Sequence, residues 1–214
     1  MKTTLLTVLL SCTAISAFAQ GVVQFRTFDA SSTPPVDARV YLDWYGGTPL
    51  DNSNPLWRAA LVGGPTTGTP YEVRIFSGHF IEGNLQMLYN PVNTTLSWVN
   101  FRAPPNAGYV NVAAANRLVP GVDWGGTALV QMVAWQGNYT TWADAFAACR
   151  AGVPGVLAGV SNPLTLTLPT GPTSPNLTYL VGLRSFGIGP TPEPGACALA
   201  MTALLAFLIF RRRN

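Results

Sequence analysis

From Val22 onward the sequence consists of short apolar runs broken by glycine, proline and asparagine. This pattern is typical of an all-β domain built from many short strands. Alternation of apolar and polar residues predicts strands with one buried face at residues 40–44, 71–75, 164–168 and 177–183. The stretch 127–135 is apolar on both faces apart from Gln131, which predicts a central strand covered on both sides.

Further strands are expected where apolar runs lie between turn residues, at 22–28, 57–62, 85–89, 95–101 and 109–113. No internal repeat of about 20 to 50 residues is evident, which argues against a solenoid or a propeller. We therefore expect residues 20–186 to form a single β-sandwich, immunoglobulin-like or jelly-roll-like, with one short helix.

The helix is predicted to begin after Thr141, because Thr141 and Asp144 have the spacing of a capping box with aspartate in place of glutamate. An apolar stripe at helical spacing follows: Trp142, Ala145, Phe146 and Cys149. Gly152 and Pro154 end the segment. Such a stripe indicates a helix face that packs on the sheet, and Cys149 is interpreted as a small buried hydrophobe.

The N-terminus has the three parts of a secretory signal. Lys2 precedes an apolar region, and the small residues Ala17 and Ala19 lie just before Gln20. A signal peptidase accepts small residues at these two positions, so residues 1–19 are expected to be removed and the mature chain to begin at Gln20.

The C-terminus combines a proline-rich linker (187–194), an uncharged run from Gly195 to Phe210 and a cluster of arginines. A helix over the uncharged run would be about 24 Å long, somewhat short of a bilayer core of about 30 Å. It can cross a membrane if the arginines snorkel. The arginines favour a cytoplasmic end. The motif residues are Pro192, Glu193, Pro194, Arg211, Arg212 and Arg213.

This arrangement resembles the PEP-CTERM sorting signal of Gram-negative bacteria, which an exosortase-type membrane protease is thought to recognise and cut. Parts of the body resemble small PEP-CTERM proteins of Verrucomicrobia-like bacteria: 57–65, 125–135, 159–163 and 181–186. The resemblance implies an exported protein that is associated with exopolysaccharide or biofilm. It would reach the outer membrane, cell surface or extracellular matrix after processing, or stay anchored by 195–214 if uncut.

The net charge of the chain and two of its three cysteines belong to its two ends. The net charge of +3 comes from Lys2, the three terminal arginines and Glu193, whereas residues 20–190 hold eight arginines, eight acids and no lysine. A neutral body has no basic patch for nucleic acid, so no nucleic-acid partner is expected. Only Cys149 lies in the body, which excludes an internal disulfide there. Cys12, in a sequence similar to a lipoprotein box, leaves lipidation as an alternative at the N-terminus.

Catalytic chemistry has little support in the sequence. His79 is the only histidine, and it could act as a general base with Glu82, but a histidine at the end of a strand is the preferred interpretation. No Gly-x-Ser-x-Gly motif presents a serine, and no cysteine–histidine cluster could hold zinc. We expect neither an enzyme nor a cofactor or metal. A hydrolase that brings His79, Glu82 and Asp123 together is an alternative.

A carbohydrate-binding role is the other alternative. Large aromatic side chains and acids lie beside glycine turns at four candidate positions: Trp44, Tyr45, Asp123 and Trp124. Flat rings beside carboxylates are common in sugar sites, although the two tryptophans could equally close the ends of the sandwich. Asn93, Asn138 and Asn176 lie in Asn-x-Thr sequons, and their glycosylation is left open.

Overall fold

A computed structural model describes residues 20–43, 47–66, 71–75, 78–82, 85–91, 98–110, 116–171 and 178–190. This part of the chain is mostly β, with one short helix, α1 (Trp142–Arg150). The strands are β1 (Gln20–Gln24), β2 (Phe28–Asp29), β3 (Val36–Asp37), β4 (Val40–Leu42), β5 (Trp57–Pro65), β6 (Tyr71–Ile75), β7 (Gly78–Glu82), β8 (Gln86–Met87), β9 (Asn116–Asp123), β10 (Thr127–Gln136), β11 (Leu157–Val160), β12 (Leu164–Thr167) and β13 (Phe186–Ile188). The prediction of an all-β protein with one short helix is confirmed.

The largest sheet has five strands, and β10 lies at its centre. β10 pairs antiparallel with β5 from Ala128 opposite Pro65 to Gln136 opposite Trp57. Its other edge pairs with β12 along its first half and with β11 along its second half. The prediction of a central strand over 127–135 is therefore confirmed.

Both faces of this sheet are covered, which explains why β10 is apolar along most of its length. Val130 and Met132 face a core that also contains residues of β1, β4, β9 and β13. Val133 and Trp135 face a second core, which α1 covers. Gln131, in the middle of the strand, is fully buried, and its amide donates to the carbonyl of Ser161 at 3.0 Å.

Helix α1 forms as its sequence predicts. The Thr141 hydroxyl oxygen accepts a hydrogen bond from the Asp144 amide at 3.2 Å, as an N-cap residue does. At the other end, the amide of Gly152 donates to Cys149 and the amide of Val153 donates to Ala148, which is the hydrogen-bond pattern of a Schellman motif. The buried residues are Trp142, Ala145, Phe146 and Cys149, so the predicted apolar stripe is confirmed.

The remaining strands form two-stranded pairs: β1 with β9, β13 with β4, β2 with β3, and β6 with β7. The β13–β4 pair is parallel and joins segments that are far apart in the chain. Strand β13 is deeply buried, with Ile188 fully enclosed. Gly189, directly after β13, pairs with Ala158 of β11. The predicted linker start at Gly187 is thus too early, because the folded part continues to Gly189.

Several predicted strands differ from the structure. The strand expected at 22–28 is divided into β1 and β2. The strand expected at 177–183 is absent from its described part: Leu183 donates to the carbonyl of Leu180 in a turn, where Gly182 has a φ of +89°. Leu180 is therefore the fully buried residue, whereas Tyr179 and Val181 are half-buried. The strand expected at 40–44 ends at Leu42 in the structure, and Trp44 lies outside the described residues.

No helix in the described residues is long and apolar enough to cross a membrane. The predicted signal peptide (1–19) and the predicted membrane helix (195–214) lie outside those residues.

Candidate binding surfaces

Most of the predicted functional residues lie outside the described part of the chain. These are the sorting residues Pro192, Glu193, Pro194, Arg211, Arg212 and Arg213, the signal residues Ala17 and Ala19, and the aromatic pair Trp44 and Tyr45. Gln20, the expected first residue of the mature chain, is the first residue of β1 and pairs with Asp123 of β9.

Asp123 and Trp124 lie in a rigid turn between β9 and β10. The Gly126 amide donates to the carbonyl of Asp123 at 3.0 Å, and the Gly125 amide donates to that of Pro169 at 2.7 Å. Gly125 has a φ of +76°, a left-handed conformation that favours glycine. The hydrogen bonds hold the turn against the segment that follows β12.

The chemistry of this turn is limited to one carboxylate and one indole. Asp123 is exposed and Trp124 is half-buried, so part of the ring is accessible next to a hydrogen-bond acceptor. Such a pair can contact one sugar ring by stacking and by a hydrogen bond to a hydroxyl group. The structure places these two residues side by side, and their predicted companions lie outside the described residues.

The residues of the hydrolase alternative lie on different sheets. His79 and Glu82 belong to β7, which pairs with β6, and Asp123 ends β9, which pairs with β1. Within the described ranges, no three histidine, cysteine, aspartate or glutamate residues are grouped so that they could hold a metal ion. Cys149 lies on the buried face of α1, as predicted.

The arginines of the body make aromatic contacts rather than the surface ion pairs that their number suggests. Four guanidinium groups lie over rings at 4.1 to 5.6 Å from the centroid: Arg39 over Tyr109, Arg58 over Trp98, Arg117 over Phe25 and Arg150 over Phe146. One ion pair, Arg26 with Asp29 at 3.9 Å, occurs among the described residues. A planar guanidinium stacks on rings better than an ammonium group does, which gives a physical reason for a lysine-free body.

Two of these arginines are deeply buried and have a structural role. Arg58 donates to the carbonyl of Tyr139, and its other nitrogen lies 3.4 Å from the Asn138 side chain. Asn138 is the one sequon asparagine in the described residues, and it is exposed. Burial lowers the pKa of Arg58 and of Arg117, because an apolar environment disfavours the charged form.

A cavity of about 210 Å³ lies beside the segment that joins β1 to β2. It is lined by Phe25, Arg26, Thr27, Phe28, Arg102 and Val110. Thr27 holds the segment in place: its carbonyl accepts from the Ala38 amide at 2.8 Å, and its hydroxyl accepts from the Val110 amide at 3.2 Å. The residues that line the cavity include two arginines and no residue with a carboxylate.

Two aromatic side chains, Phe28 and Tyr109, pack together at one side of this cavity. Phe28 is 49% exposed, the most exposed large apolar side chain in the described residues. Its ring packs on Tyr109, with centroids 5.2 Å apart and an angle of 55°. The Tyr109 hydroxyl donates to Asp37 at 2.5 Å. Burial, together with this hydrogen bond, raises the pKa of Tyr109, so the hydroxyl stays protonated.

Asp29 follows the lining residue Phe28 in β2, and one of its two carboxylate oxygens is already engaged in hydrogen bonds. Its Oδ1 accepts from the amide of Ser31 at 2.8 Å and from the hydroxyl at 2.5 Å. These bonds, the hydroxyl one foremost, hold the pKa of Asp29 below its usual value, with a smaller contribution from Arg26. The same local arrangement recurs in the turn at Asp51, where Oδ1 accepts from the amide and hydroxyl of Ser53. Both carboxylates therefore stabilise turns.

Sequence reasoning missed the cavity because its residues are far apart in the chain. Arg102 reaches it only through the bridge of Phe101 with Val110, and its amide donates to the carbonyl of Tyr109 at 2.8 Å. The one local signal was Phe28 between Thr27 and Asp29, an apolar residue in a polar segment.

Comparisons with known proteins identify no relative: no family model, no curated protein and no solved structure matches the chain.

Proposed function

We propose that the protein is an exported, non-enzymatic component of the cell surface or extracellular matrix, sorted through its C-terminal PEP-CTERM-like signal. The observation that carries this proposal is the position of the folded body between the two terminal segments. Among the described residues, β1 begins at Gln20, directly after the expected signal peptide, and the last paired residue is Gly189, shortly before the Pro-Glu-Pro motif. The body thus occupies the segment that both processing events would leave intact.

The fold of the body is proposed to be a single β-sandwich. The five-stranded sheet would form one layer, and the β1–β9 and β4–β13 pairs the other. One apolar core that contains residues of both groups supports this arrangement, with α1 covering the outer face of the larger sheet. Residues 20–190 would then unfold in one transition. Separate transitions for near-UV circular dichroism and tryptophan fluorescence would contradict a single core.

The partner in sorting would be an exosortase-type membrane protease that recognises Pro192-Glu193-Pro194. The run 195–210 would hold the substrate in the membrane, and the arginines at 211–213 would keep its end cytoplasmic. Exopolysaccharide is the proposed environment of the released body. Residues 20–190 have a net charge of zero and contain no lysine, which supports a role that does not depend on electrostatic binding of nucleic acid.

Intact-mass spectrometry of the protein from its native host, combined with cell fractionation, tests the sorting proposal. Wild-type protein should begin at Gln20 and lack the C-terminal tag. A variant in which alanines replace Pro192, Glu193 and Pro194 and glutamines replace the three arginines should stay unprocessed or mislocalised. R184Q is the matched control, because it removes an exposed arginine from the body and should be processed normally. The same mature mass for the tag variant and the wild type would refute the proposal.

A second candidate function is carbohydrate binding through Trp124 and Asp123, with Trp44 and Tyr45 as further contacts. The accessible ring and carboxylate at the β9–β10 turn favour it. A glycan array, or a pull-down with the host polysaccharide, should then detect binding that W124A weakens. Binding that W124A and W44A leave unchanged would eliminate this candidate.

A further inference from the structure

We propose that the cavity beside Phe28 binds a carboxylate carried by a sugar ring, that is, a hexuronate residue. This inference depends on neither the sorting signal nor the β9–β10 turn. It rests on the positions of Arg26, Arg102 and Phe28.

The two arginines differ from the other arginines around the core. Four arginines lie over rings of the protein itself, whereas Arg26 and Arg102 lie over none within the described residues. No described residue accepts a hydrogen bond from the Arg102 guanidinium. Arg26 is 53% exposed and lies 3.9 Å from Asp29, which is beyond hydrogen-bond distance. Among the described residues, Arg102 therefore has donors available for a ligand, and Arg26, which pairs with Asp29, adds positive charge at the same cavity.

Guanidinium groups select the charge and shape of the ligand. Their planar donors match a carboxylate in a bidentate arrangement. The Ser31 hydrogen bonds occupy only Oδ1 of Asp29, and its Oδ2 pairs with Arg26, so Arg102 is the principal donor for a ligand. A neutral sugar would leave the charged donors without an acceptor, and so would bind more weakly.

Phe28 selects the body of the ligand. Its exposed ring is held by Tyr109, which the Asp37 hydrogen bond and the Arg39 guanidinium at 4.6 Å keep in place. A pyranose has one apolar face for such a ring and hydroxyl groups elsewhere, whereas an aromatic acid would leave its second apolar face in water. A cavity of about 210 Å³ has room for one such ring. Inorganic phosphate would satisfy the arginines and leave the ring uncovered.

Isothermal titration calorimetry tests the proposal with the full-length chain in a polyoxyethylene detergent, which carries neither charge nor sugar. The probes are methyl glucuronoside, the uncharged methyl glucoside, benzoate and inorganic phosphate. Methyl glucuronoside should bind more tightly than the other three. R102Q and F28A should each weaken its binding by about tenfold, the scale of one lost charge-assisted bond or one lost ring contact. R184Q, which removes an exposed arginine outside the cavity lining, should leave binding unchanged.

Five outcomes would overturn the proposal. Equal binding of the glucoside would show that the site does not recognise the carboxylate. Tighter binding of benzoate would show that it does not recognise the sugar ring. Tighter binding of phosphate would reduce the site to an anion site. Glucuronoside binding that R102Q and F28A leave unchanged, or no binding at about 50 mM, would exclude this cavity. Because Arg102 and Phe28 are exposed, both variants are expected to fold, and circular dichroism verifies this.

Discussion

The attachment of β13 to β11 makes Gly159→Ala the most informative substitution in the body. A Cβ atom at Gly159 would collide with the carbonyl oxygen of Gly187, and it would lie 2.9 Å from the carbonyl carbon and 3.1 Å from the Cα of Ile188. All three atoms belong to backbone, so no side-chain rotation relieves the contact. Either β13 shifts away from the sheet or the two strands separate.

The size of the effect follows from what β13 buries. If the strand only shifts, overpacking costs about 1 to 3 kcal/mol. If it detaches, Phe186 and Ile188 lose burial worth about 1.5 to 3 kcal/mol each, which sets a ceiling of about 6 kcal/mol. We expect a loss of about 3 kcal/mol in the free energy of unfolding, between these limits.

Urea denaturation of residues 20–190, followed by tryptophan fluorescence, measures this loss. Gly171→Ala is the matched control, because no atom lies within 4 Å of its Cβ position. It should leave stability unchanged or raise it by up to about 1 kcal/mol, through a less flexible unfolded chain. If G159A and the wild type agreed within about 0.5 kcal/mol, the close approach of β11 and β13, and with it the position of the last folded strand, would be wrong.

Three further predictions concern α1, its cysteine and the turn at Asp29. Thr141→Ala should lower the free energy of unfolding by about 1 kcal/mol through loss of the N-cap, and Thr141→Ser should restore most of it; an equal loss in both would contradict the capping role. Cys149 should react with a thiol reagent only after unfolding by urea, and fast labelling of the native protein would contradict its burial. Ser31→Ala should cost about 1 kcal/mol at pH 7, because the charged Asp29 loses a donor. Since the folded state lowers the pKa of Asp29, this stabilisation is present above an unfolded pKa of about 3.9 and is lost as the pH falls through the folded value. Thermal melts should therefore show the gap between S31A and the wild type closing below about pH 4, and a gap that persists there would show that Asp29 is not its source.

The elements that the sequence predicted well are those whose signal is local. The apolar stretch of β10 and the capped, amphipathic α1 each carry their pattern within about ten residues, and both form at the expected positions. Five strands were not predicted: β3, β7, β9, β11 and β13. β9 contains Pro120 and Gly121, which normally argue against a strand, and β11 and β13 have only four and three residues. β9 and β13 also depend on partners that are distant in the chain, β1 and β4.

The sequence by itself determined that the chain is mostly β, that one helix packs on it, and that its net charge belongs to the two ends. Those properties follow from periodicity and composition, which need no partner. Only the tertiary structure decided that the domain continues to Gly189, and that Arg26, Phe28 and Arg102 share one cavity. Residues more than 70 positions apart meet there through the pairing of short segments, and such non-local pairing is set by the packing of the whole core.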